Sequence, residues 1–138
     1  MWKRFSAVAI IATMVTVGIF GTAVAQKVHA PKGIWQGMVA GLSDIQDITA
    51  SLMVFNMERI ATRAGELANR EVYISQIASL PDAVKEGHTK VAEAAKELVG
   101  AAKSGEEQDV ATRLKDVVAA CTTCHYDLRD EERRQKLQ

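Results

Sequence analysis

The chain has 138 residues, 48% of them hydrophobic and 25% charged, with 17 basic and 17 acidic side chains. A chain this short makes one domain with a modest core. Balanced charge without a basic stripe excludes nucleic acid, or any strongly charged surface, as the expected partner.

The chain opens with Lys3 and Arg4, then runs uncharged from Phe5 to Ala25 and ends that stretch on Ala23-Val24-Ala25. A positive start, an apolar stretch and a small-residue A-x-A site predict a signal peptide over residues 1–25, cleaved before Gln26. An uncleaved membrane anchor is the alternative, since about 20 apolar residues can span a bilayer. In either case the body of the protein lies outside the cytoplasm, so a periplasmic location is expected. Residues 26–33 read as a flexible lead-in, and His29 within them as a linker residue.

The remainder, residues 34–138, reads as helix throughout. Ile34 to about Leu67 is one long helical stretch, with a break expected near Gly41–Ser43, where Ser43-Asp44 could cap. Its apolar positions Ile45, Ile48, Leu52, Met53, Phe55, Ile60, Ala64 and Leu67 recur at threes and fours. A shorter helix is expected over Glu71–Ser79, stopping before Pro81. Asp82 opens the next, with Val84, His88, Val91, Ala95, Leu98 and Ala102 forming the seam of a packed pair. Gly105 ends it. A last helix starts at Glu106 and carries Val110, Leu114, Val117, Val118, Cys121 and Leu128 before a polar tail. These elements predict an all-α fold, an antiparallel four-helix bundle with a shortened second helix.

The two cysteines sit in Cys121-Thr122-Thr123-Cys124-His125, the C-x-x-C-H pattern of c-type haem attachment. Thiols three residues apart lie about one helical turn from each other and can form thioethers to the two vinyl groups on a porphyrin edge. His125 then presents its imidazole to the iron. The pattern calls for one covalent haem c near the C-terminal helix. A structural zinc would need two more ligands, and only His29 and His88 remain. A thioredoxin-type dithiol usually opens a helix after a strand, whereas this one lies deep within a helix. A disulfide across C-x-x-C inside a helix would be strained.

A C-x-x-C-H near the end of a four-helix chain resembles the class II cytochromes c, that is, cytochrome c′ and its low-spin relatives. Val118 to Arg129 is similar to the family's motif region, with small residues before the cysteines and an apolar–Arg pair after His125. Leu52 to Ile60 resembles its first-helix signature, and Lys103-Ser104-Gly105 its connector. The resemblance implies Cys121, Cys124 and His125 as haem-binding residues, with Arg129 near the proximal histidine. It also implies Thr49 or Ala50 at the distal position, and neither can bind iron as a methionine does. The second helix and the loop after it read shorter than in cytochrome c′, which bears on the dimer interface formed in the family by the first two helices.

The sixth iron position stays open. Counting ~1.5 Å per residue from turns expected near Asn69 and Gly105 puts Met53 and His88 at one level, roughly a turn from His125. Met53 is the leading candidate ligand and His88 a weaker one, with Met38 and Met57 weaker still; an open, five-coordinate iron is the other arrangement. Each has a bland counterpart: a core methionine is more often packing than a ligand, and His88 could be bonded to a carbonyl or a haem propionate.

The expected function is single-electron transfer between periplasmic redox proteins met transiently, for which axial ligand and burial set the potential. The alternative is a five-coordinate haem that binds nitric oxide or carbon monoxide. No nucleophile, general acid or second metal site accompanies the motif, so enzymatic activity is not expected. A homodimer is compatible with the apolar stripes, and membrane association is expected only if the leader is uncleaved.

Overall fold

The computed structural model describes residues 33–136, so the expected signal peptide and nearly all of the lead-in lie outside the described residues. Four helices follow in order: α1 (Ile34–Met53), α2 (Met57–Ser75), α3 (Asp82–Ser104) and α4 (Glu107–Lys136). They form the expected four-helix bundle. None of them is long and apolar enough to cross a membrane.

The first turn lies away from both expected places. The chain does not break at Gly41–Ser43, nor near Asn69. It turns at Val54–Asn56, where Phe55 adopts a left-handed conformation with φ 56° and the N–H groups of Val54 and Asn56 both donate to the Ser51 carbonyl (3.3 and 2.9 Å). Asn56 caps α2, its side chain accepting from the Arg59 N–H at 3.0 Å, and Glu58 adds a favourable charge in the first turn. The second helix is therefore not shortened: it has 19 residues against 20 in α1. Leu52-Met53-Val54-Phe55 continues an apolar pattern with neither Gly nor Pro, which hides the turn from a periodicity argument.

α2 ends at Ser75 and not at the expected Ser79, its last turn closed by the Gln76 and Ile77 N–H groups donating to the Tyr73 and Ile74 carbonyls (3.2 and 3.1 Å); the boundaries of α3 follow their signals. Pro81 precedes α3, and Gly105 closes it in the left-handed region at φ 80°, donating to the Ala101 carbonyl at 3.2 Å. α2 and α3 make the most extensive helix pairing, because Ala64, Ala68, Ala92, Ala95 and Ala102 are small and buried and let the backbones approach. Ile48, Ile60, Leu67, Leu98, Val110 and Val117 fill the core between the turns at residues 54–56 and 105–106.

α2 is held to α1 by charge. Arg59 and Arg63 both bind Asp47 at 2.6 Å, and Arg70 binds Asp44 in a buried pair. Asp44 is thus a mid-helix buried partner, not a cap. α1 and α4, by contrast, barely touch. They separate at the end of the bundle where α1 begins, and the cysteine motif lies in that gap.

Candidate functional site

All four helices contribute to one largely apolar cavity of about 300 Å³. α1 supplies Trp35, Met38, Val39, Gly41, Leu42 and Ile45; α2 supplies Leu67 and Glu71; α3 supplies Gly87, His88 and Val91; α4 supplies Cys121, Cys124 and His125. The motif residues are thus brought together on one wall. Cys121 and Cys124 are half-buried, and His125 is exposed.

No disulfide joins the two thiols. Burial pushes the Cys121 thiol up to about 11, with the Glu71 and Cys124 charges acting in the same direction. Cys124 is likewise raised, mainly by burial. Redox-active dithiols and thiolate ligands need the opposite shift, produced by cations or a helix N-terminus. Among the described residues no group of three or more His, Cys, Asp or Glu could hold a metal ion.

Gly87 explains how α3 can lie so close to the motif. A Cβ at this position would stand 3.1 Å from the Cys124 Cβ and nearer still to its Sγ. Gly→Ala in a helix interior ordinarily gains about 1 kcal/mol. Here Gly87→Ala should instead cost about 1–3 kcal/mol through overpacking. The denaturant midpoint of the purified variant checks the effect.

His88 is 5% exposed. Its Nδ1 lies 2.5 Å from Glu71 Oε2, and its Nε2 is buried without a partner. Glu71 is also buried, so a carboxylate on α2 sets the ring of a histidine on α3 against the cavity. Of the two bonds expected for His88, to a carbonyl or to a haem propionate, the carbonyl bond is absent: a carboxylate holds Nδ1, and Nε2 stays free.

The other candidates fall elsewhere. Met53, the leading methionine, is 77% exposed at the last turn of α1 and does not line the cavity. The physical reason is the position of the turn: with the chain reversing at residues 54–56, Met53 stands at the opposite end of the bundle from His125. Met57 packs against the core cluster and does not line the cavity. Thr49 and Ala50 are exposed, and Thr49 Oγ1 donates to the Ile45 carbonyl at 2.7 Å. Met38, half-buried, is the methionine that does line the cavity. Arg129 is exposed four residues after His125, and its guanidinium stands 5.2 Å from the centroid of the Tyr126 ring; it does not line the cavity.

Trp35, Met38, Leu42 and Ile45 were legible as a three-and-four stripe, yet the expected break at Gly41–Ser43 hid its first half. Glu71 and Gly87 carried no pattern of their own. They depend on which helices meet, which spacing along one helix does not determine.

A haem fits this site on three observations. The walls expose large apolar side chains that would otherwise face water, Trp35 at 77% and Leu42 at 57%. Two thiols and an imidazole lie together on one wall, and a buried ring nitrogen has no partner. Searches among curated proteins and among solved structures return no match. The family profile described as Cytochrome C′ matches residues 26–129, a span covering the described helices to just beyond the motif. The chain is therefore a member of the cytochrome c′ family, a c-type cytochrome haem protein on a four-helix bundle.

Proposed function

We propose that this protein is an exported electron carrier with one haem c, joined through thioethers to Cys121 and Cys124 and ligated by His125. The observation that supports the reading best is the shared cavity wall: both thiols and the imidazole border one apolar space, with His125 at its exposed edge. Bound there, a haem supplies a single reversible electron.

The chain's own residues suit that role. Four helices tied by a small-residue seam and by arginine–aspartate pairs hold the site with little freedom to reorganise. Apolar walls from Met38, Ile45, Leu67 and Val91 would shield a haem held there from water and thereby raise the weight of every nearby charge. Exposure of His125 places one edge of the site within reach of a partner, and a transient periplasmic redox protein is the partner proposed. With the thiols and His125 assigned to holding the haem, we read the protein as a carrier and not as a catalyst. Export rests on the leader over residues 1–25.

The second reading, a gas-binding haem, is favoured by α1. Val39, Leu42 and Ile45 on the cavity wall cannot ligate iron, which suits an open distal face. The absorption spectrum of purified protein separates the two. A low-spin ferric form that resists carbon monoxide when reduced is expected for the carrier. A high-spin ferric form that binds carbon monoxide readily would overturn it in favour of the gas-binding alternative.

A further inference from the structure

We propose that His88 is the second axial ligand of the haem iron, positioned by Glu71; the inference rests on the covalent-haem reading above. His88 lies on α3 and His125 on α4, and both rings border the same cavity. The Glu71 carboxylate, 2.5 Å from Nδ1, selects the tautomer that donates from Nδ1. That leaves the lone pair of the neutral ring on Nε2.

This nitrogen is buried with nothing to bond it. A buried polar atom without a partner is destabilising, and a metal removes that cost. A carboxylate behind one ring nitrogen and a free lone pair at the other is the arrangement that orients metal-binding histidines and raises their basicity. Met38 also lines the cavity, but a thioether is content in apolar packing and has no unmet need there. Two imidazoles would make the iron low-spin, and the negative charge behind His88 would favour the ferric state.

The test uses the holoprotein, in which the intact cysteines retain the haem. Ferric wild type should be low-spin by electron paramagnetic resonance. His88→Ala should convert it to high-spin, and millimolar imidazole should restore the low-spin signal. Should His88→Ala fail to fold, His88→Met serves instead: it should replace the two-imidazole signature by a methionine–iron charge-transfer band. Glu71→Gln should stay low-spin but with a raised midpoint potential, a shift that a purely structural role would not produce; an unchanged potential would overturn the role of Glu71. A low-spin signal unaltered in His88→Ala or His88→Met would overturn the ligand assignment while leaving the carrier reading standing. A high-spin wild type that takes up carbon monoxide would overturn both.

Discussion

Replacing Cys121 and Cys124 together by serine should abolish covalent attachment, so that acidified organic solvent extracts any pigment from the purified protein. The loss should extend to the fold. Both residues line a cavity of about 300 Å³. Left unfilled, it leaves Trp35 and Leu42 facing water, at about 1.5–3 kcal/mol for each large apolar side chain that loses its cover. The variant should therefore melt far below the wild type by circular dichroism. Pigment that resists extraction would contradict the attachment.

The second large effect concerns Arg70. Its guanidinium pairs with Asp44 where both side chains are buried, joining α2 to α1 directly above the residue, Glu71, that holds His88. Arg70→Met leaves a buried carboxylate unpaired and should cost about 3–5 kcal/mol at neutral pH. Asp44 already titrates above its ordinary range, because burial outweighs the opposing pull of Arg70. Without the guanidinium it should rise further. A carboxyl whose folded pKa lies above its unfolded one favours the folded state while protonated, and that advantage is lost as pH rises through the folded value. Arg70→Met should accordingly be least destabilised, relative to wild type, in mild acid, and the deficit should grow toward neutral pH. Adding Asp44→Leu should recover much of the loss, since an apolar pair can replace a buried ion pair at little cost. Urea unfolding of the wild type and the two variants across the pH range measures each effect.

These charges also show where sequence reasoning stops. Helix existence, the Gly105 turn, the Pro81 boundary and the C-x-x-C-H motif were all legible, because each rests on local chemistry within a few residues. The first turn was not. Phe55 is a bulky residue in the left-handed region, which is uncommon, and the Asn56 cap is a single side chain within an apolar run. Misplacing that turn shifted Met53 to the wrong end of the bundle and made the second helix look short. Asp44 looked like a cap because nothing in α1 announces an arginine 26 residues later. His88 was visible as a polar residue on an apolar seam. Its carboxylate partner is 17 residues away on another helix, and only the pairing of α2 with α3 brings the two together.

The site and the fold thus share a cause. α2 and α3 close tightly on alanines, α1 is drawn to α2 by arginines, and α4 is left to meet α1 across a gap. A porphyrin bound to α4 would fill that gap. Gly87 keeps α3 clear of Cys124, and Trp35, Val39 and Leu42 gain an apolar surface to cover them.

The intact mass of the protein purified from an exporting host tests the central claim most directly. The account predicts a chain beginning at Gln26 whose mass exceeds that of the polypeptide by one haem, retained after denaturation. A denatured chain at the bare polypeptide mass, or lighter by the two hydrogens of a Cys121–Cys124 disulfide, would contradict it.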